Sequence, residues 1–366
     1  MSKTLSCGIV GLPNVGKSTL FNALLKKIQA GAANFPFCTI EPNVGIVDVP
    51  DPRLETLSQI SKSHKLIPAT ITFVDIAGLV KGASTGEGLG NKFLANIRET
   101  DAIVHVVRCF ESDEVIHVEG KVDPIDDIEV INLELILADL QMTDNSLQKI
   151  ERQAKGNKEF IPTLNALKKV LAHLNESRPV RSLTLSEDEK EVLKPYHFIT
   201  AKKVIYAANV SEQDILSLDN PHLKAVQDYA KKEKSEVIPF CAKLEEELAQ
   251  LSEEEAKEYL ETLGLNEPGL DRLIKASFQT LNLITFLTTG EQETRAWTIP
   301  AGATAPEAAG KIHSDLQKGF IRAEVVTFND MVQCKGRVGA KEAGKARSEG
   351  KDYIVQDGDV ILFFHN

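Results

Sequence analysis

Residues Gly11-Leu12-Pro13-Asn14-Val15-Gly16-Lys17-Ser18 fit the pattern G-x-x-x-x-G-K-[ST] and constrain this chain more than any other stretch. A loop of that composition curls its backbone N–H groups around phosphate oxygens, and its Lys and Ser complete a site for a nucleoside triphosphate and Mg²⁺. The flanks agree. Leu5–Val10 reads as a short buried strand and Ser18–Leu25 as a helix with an apolar face. Strand, glycine loop, helix is the order the mechanism requires, because the positive end of the helix must point at the phosphates. Asn14, Val15, Gly16, Lys17, Ser18 and Thr19 are therefore candidate nucleotide-binding residues, with Lys17 also a candidate catalytic group on the β- and γ-phosphates.

With 366 residues the chain is too long for one ordinary domain. No apolar run approaches the length of a membrane span, and Met1-Ser2-Lys3-Thr4 lacks the apolar core of a signal peptide. Five scattered cysteines without a C-x-x-C pair point to reduced thiols and a cytoplasmic protein. A net charge of −11 argues against non-specific coating of nucleic acid. The acidity is uneven, however. Within 335–351, Lys335, Arg337, Lys341, Lys345, Arg347 and Lys351 stand against only Glu342 and Glu349, a pattern shared by RNA contacts and by ordinary solvated loops.

Strand-like runs at Leu5–Val10, Ile71–Val74 and Ala102–Val107, with helical stretches between them, predict a doubly wound parallel α/β sheet. Leu133, Leu137, Leu140 and Leu147, followed by Leu164, Leu167, Leu171 and Leu174, repeat at heptad-like spacing and predict an antiparallel coiled-coil hairpin. Two amphipathic helices packed on the sheet are the alternative. Strand texture returns at Lys203–Ala208 and Val237–Phe240, so the helical segment reads as an insertion. The Glu-rich stretch from Glu245 to Glu261 reads as a solvated face. The expected division is 1–126 with 201–281 for the nucleotide-binding domain, 127–200 for the helical insertion, and 282–366 for a small α+β module.

Further residues complete the phosphate site. Thr39 can offer its hydroxyl oxygen to Mg²⁺. Asp75, at the carboxyl end of a buried strand in Asp75-Ile76-Ala77-Gly78, can hold a metal-bound water, and the Gly78 N–H can reach the γ-phosphate. Glycines 82, 86, 88 and 90 suit an order–disorder switch. A guanine reader would place Asn-Lys-x-Asp after the strand ending at Ala208, yet the residues are Asn209-Val210-Ser211-Glu212. The carboxylate stands one methylene further out, which forfeits the paired acceptor for guanine and predicts ATP over GTP. Asn209, Val210 and Glu212 are the candidate base-pocket residues, and Cys241-Ala242-Lys243 takes the place of the supporting loop. Where Ras-like enzymes carry a water-orienting Gln after the D-x-x-G glycine, this chain has Leu79. His117 is the candidate substitute ahead of His105, with a packing role the alternative.

Taken together, Asn14–Thr19, Asn34–Thr39, Asp75–Ala83 and His105–Phe110 resemble the YchF (Obg-like ATPase) family. Residues Arg295–Ile299 and Glu349–Tyr353 resemble its TGS domain. The resemblance runs end to end. It implies an Obg-type P-loop domain, a helical insertion, a carboxyl-terminal TGS domain, and slow Mg²⁺-dependent ATP hydrolysis, with a hydrophobic residue such as Leu79 replacing the catalytic Gln. It also implies association with the ribosome (the large subunit foremost), with contacts to rRNA or tRNA through the helical and TGS domains. A conventional translational GTPase is the competing reading. So is a ribosome- or RNA-binding module with a merely structural nucleotide site, whose surface would include Lys149, Arg152, Lys155 and the 335–351 loop.

Overall fold

A computed structural model of the chain describes residues 5–31, 43–76, 89–112 and 121–366. It forms two compact units, one of residues 1–45 and 72–277 and one of 46–71 and 278–366. The chain's strands are β1 Ser6–Val10, β2 Val44–Asp48, β3 Lys65–Ile67, β4 Thr70–Asp75, β5 Ala102–Arg108, β6 Lys203–Asn209 and β7 Glu236–Phe240. They continue with β8 Leu283–Thr289, β9 Glu293–Pro300, β10 Phe320–Thr327, β11 Arg347–Glu349 and β12 Asp359–His365.

The first sheet runs β2-β4-β1-β5-β6-β7. The pairs β1/β4, β1/β5, β5/β6 and β6/β7 are all parallel. Every residue of β1 and β5 is buried. Strands covered on both faces need apolar side chains at most positions, which is why these segments read as apolar runs interrupted only by Ser6, His105 and Arg108. Parallel pairing also brings the carboxyl ends of these strands to one edge, where α/β sheets bind ligands.

Between β5 and β6 the chain forms the long helix Pro124–Gly156 and the helix Ile161–Asn175, which pack on each other as a hairpin. Asp123 caps the first, accepting from the N–H groups of Ile125 and Asp126. The seam differs from the expected one. Leu133 and Leu137 are 46% and 38% exposed, whereas Ile128, Ile131, Leu135 and Ile136 are buried. The cause is that one helix serves two partners. Its first half packs on β5 and the helix Pro221–Glu233. Further along, Ile136, Leu147 and Ile150 meet Ala166, Leu167, Val170 and Leu174. No single heptad stripe satisfies both. Asp139, fully buried in this helix, accepts from Ile199 N at 3.1 Å, Thr200 N at 2.8 Å and Thr200 Oγ1 at 2.7 Å, which fixes the insertion to the segment leading into β6.

The second sheet runs β11-β10-β12-β8-β9-β3, antiparallel except for β12/β8 and β3/β9. Phe286, Ile299, Val325 and Ile361 form its core with Ala305, Ala308 and Ala309 of the helix Ala305–Ile312. The helix Arg53–Ser61 packs on β8 and β9 with Leu54 and Leu57 buried, so residues 46–71 are part of this unit.

Candidate nucleotide-binding site

The loop after β1 is shaped by two residues in the left-handed region, Asn14 at φ 63° and Gly16 at φ 97°. A side chain at Gly16 would collide with the Asn209 amide, and a Cβ at Gly11 would stand 2.8 Å from Val106 O. Glycine is required at both places. Leu20 N donates to Gly16 O at 2.9 Å, so the helix Lys17–Gly31 starts directly from the loop. Its first N–H groups have no intrahelical partner, and the helix dipole adds partial positive charge there. Val15 and Lys17 are buried, Thr19 is half-buried, and Asn14 and Ser18 are exposed.

Lys17 Nζ donates to Asp75 Oδ1 at 2.6 Å, with the two side chains 9% and 18% exposed. The last residue of β4 thus stands beside the loop lysine, as strand ends at one sheet edge should. An exposed hydroxyl on the first helical turn and a carboxylate beside the loop are hard oxygen donors of the kind Mg²⁺ takes, few in number because that ion keeps most of its waters. Among the described residues no three His, Cys, Asp or Glu side chains converge as a self-sufficient metal cage. The donor set therefore fits Mg²⁺ carried by phosphates. Thr39, Gly78, Leu79 and His117 lie outside the described residues, as do glycines 82, 86 and 88.

Beside the loop, Asn209 is 3% exposed at the end of β6. Its Nδ2 donates to Val15 O at 3.0 Å, and its Oδ1 accepts from Ala242 N at 3.0 Å. The amide therefore braces the phosphate loop against the loop after β7. Val210 is buried, its N–H donating to Phe240 O at 2.9 Å. Glu212 begins the helix Glu212–Ser217, and its Oε1 lies 2.7 Å from Lys243 Nζ. That contact holds the Lys243 ammonium above the ordinary lysine range. Sequence reasoning placed Lys243 in a supporting loop but did not foresee the ion pair, since no sequence spacing links positions on separate strand ends.

Two family models match the chain. One, described as "50S ribosome-binding GTPase", covers residues 6–161. The other, YchF-GTPase_C, described as "Protein of unknown function (DUF933)", covers 283–366. The protein named "Ribosome-binding ATPase YchF" from Escherichia coli O157:H7 is 57% identical over 363 residues, spanning 98% of this chain and 99% of its own. Its namesake from Bacillus subtilis (strain 168) is 53% identical over 366 residues, 99% of each chain. The chain belongs to the YchF family. A solved structure, that of the Schizosaccharomyces pombe YchF GTPase, superposes with a TM-score of 0.90 at 38% identity, covering 100% of this chain and 98% of that one. These YchF proteins thus carry two nucleotide names, ATPase and GTPase.

Other residues singled out in the YchF sequence have definite surroundings. His105 is 2% exposed within β5, opposite Val10 and Tyr206 in the sheet register. Burial, reinforced by Arg181, pulls its pKa down to about 3, so the imidazole is neutral. Glu245 departs from the solvated face expected of its glutamate run. It is 3% exposed and accepts from Gly269 N at 2.7 Å, capping the helix Gly269–Thr280. Burial pushes its carboxyl up to about 7 against the pull of the Gly269 and Leu270 N–H groups. In the 335–351 stretch, Arg337 and Lys341 share Glu324 at 3.0 and 3.1 Å, and Arg347 lies 3.7 Å from Glu349. Much of that basic charge is therefore matched within its own unit, while Lys335 and Lys351 are exposed. Among the described residues, no helix is long and apolar enough to cross a membrane.

Proposed function

We propose that this YchF-family chain is a Mg²⁺-dependent, slowly turning-over ATPase that prefers ATP to GTP and associates with the ribosome. The observation that carries the reading is the convergence at one sheet edge of the Gly11–Ser18 loop, Asp75 at 2.6 Å from Lys17, and Asn209 bonded to the loop itself. The relatives' printed names supply the ATPase activity and the ribosome as partner.

In this reading the loop N–H groups and Lys17 bind the phosphates, and Lys17 exchanges its bond with Asp75 for the β- and γ-oxygens. Ser18 and Thr39 would hold Mg²⁺, with Asp75 acting through a bound water. Mg²⁺ held by these residues would supply neutralisation of phosphate charge. Gly78 would donate its N–H to the γ-phosphate. His117 would orient the attacking water in place of the glutamine that Leu79 displaces, and the absence of that glutamine accounts for slow turnover. Asn209 and Val210 shape the base pocket, and Glu212, one methylene longer than a guanine reader's Asp and paired with Lys243, does not offer guanine two free acceptors. Nucleotide binding belongs to the unit of residues 1–45 and 72–277. The helical insertion 127–200 and the TGS-like module 282–366 carry the contacts to the large subunit, rRNA or tRNA.

Calorimetric titration of the full chain with ATP and GTP, each with Mg²⁺, tests this directly. Tighter binding of ATP is expected, and Lys17→Ala should lose both nucleotides. Tighter GTP binding would replace the reading with a conventional GTPase. Ribosome cosedimentation indifferent to ATP, ADP or no nucleotide would reduce the site to a structural latch.

A further inference from the structure

Lys243 and Glu212 meet in a contact that the phosphate machinery does not use. The 2.7 Å ion pair joins side chains that are 71% and 50% exposed. Glu212 is the first residue of its helix after β6, and Lys243 the second of the helix Ala242–Leu248 after β7. Asn209 joins the phosphate loop to the second of these segments through Val15 O and Ala242 N. The pair therefore spans the two segments that a purine would meet. One member sits where a guanine reader keeps its carboxylate.

We propose that Lys243 is a specificity-determining residue, because its ion pair with Glu212 offers a purine edge one hydrogen-bond donor beside one acceptor, a pattern that matches adenine and mismatches guanine. The inference rests on the reading of this edge as the base site of an ATP-preferring protein. Adenine presents the acceptor N1 beside the N6 amino donor. Guanine presents two adjacent donors, N1–H and the N2 amino group. A free carboxylate accepts from both guanine donors at once. A carboxylate with one oxygen held by an ammonium cannot, and the ammonium then faces the guanine N1–H donor to donor. An exposed pair contributes little alone. A base lying against it removes screening water and strengthens both the match and the mismatch.

The test is a titration of the full chain with ATP and with GTP in four forms: unaltered, Lys243→Met, Lys243→Arg, and Lys243→Met with Glu212→Gln. Lys243→Met should shift the affinity ratio toward GTP by about tenfold, the scale of the net worth of one exposed hydrogen bond. Lys243→Arg keeps a cationic donor and should keep the original ratio. Removing the Glu212 carboxylate as well should abolish the gain. A ratio that Lys243→Met leaves unchanged overturns the proposal, as does a gain that survives Glu212→Gln. The unaltered chain reports separately on the underlying reading: tighter GTP binding there defeats ATP preference, whereas the role of Lys243 is decided by the change in ratio.

Discussion

Asn209 performs its work between loops, because both faces of its amide are already committed to Val15 O and Ala242 N. Replacing it with Ala leaves a buried carbonyl and a buried N–H unpaired, a cost of about 3 kcal/mol. Denaturant unfolding of Asn209→Ala should show that loss, and ATP affinity should fall by about tenfold as the phosphate loop loosens; unchanged stability would mean the brace is dispensable. Glu245 offers a different reading, in pH. Its carboxyl rises from 4.5 to about 7 in the folded chain, so between those values the native state holds a proton that the unfolded state has released. The Glu245 contribution to stability is then full below about 4.5, declines as pH rises through the window and is gone above about 7, a span of about 3 kcal/mol. Glu245→Gln keeps an oxygen for the Gly269 N–H but cannot ionise. The variant should melt higher than the parent at pH 8 and nearly equal to it at pH 5; parallel melting profiles would deny the buried proton.

At the scale of elements, strands were the easiest to read. The central strands of the first sheet are buried along their whole length, so β1 and β5 are apolar at nearly every position, Ser6, His105 and Arg108 being the exceptions, and the run itself betrays them. The loop glycines were equally legible, since backbone shape leaves no other residue. The helical insertion was legible as a pair of helices but not in its seam. A leucine at heptad spacing looks the same whether it faces a partner or water, and the helix Pro124–Gly156 changes partner along its length. That difference can be measured. Leu133→Lys and Leu137→Lys fall on exposed positions and should change stability by less than about 0.5 kcal/mol. Leu147→Ala and Ile136→Ala lie in the hairpin core and should each cost about 2–4 kcal/mol. Equal costs at all four positions would restore the heptad seam that sequence spacing suggested.

Across the whole chain, the least legible feature is the membership of residues 46–71. Lys65-Leu66-Ile67 is too short to announce a strand, and its partner β9 lies far downstream, so no local periodicity ties the two. The binding is nonetheless built from many contacts. Arg53 grips Asp51 through Nε and Nη2 at 2.8 Å each, reaches Asp357 at 2.8 Å and Thr285 Oγ1 at 3.0 Å, and is held well above the usual arginine range by those carboxylates. Leu54, Leu57 and Ile67 are buried beside it. Three aliphatic side chains withdrawn from water contribute about 6 kcal/mol, which is comparable to the entire margin of about 5–15 kcal/mol that holds an ordinary domain folded. A fragment of residues 278–366 would lack β3, the helix Arg53–Ser61 and the Arg53 bonds, exposing the face of β8 and β9 that they cover. It should therefore melt without a sharp transition in circular dichroism. Joining residues 46–71 to it through a flexible linker should restore cooperative melting, and a fragment that melts as sharply without them would show that the sheet needs no help from the amino-terminal part of the chain.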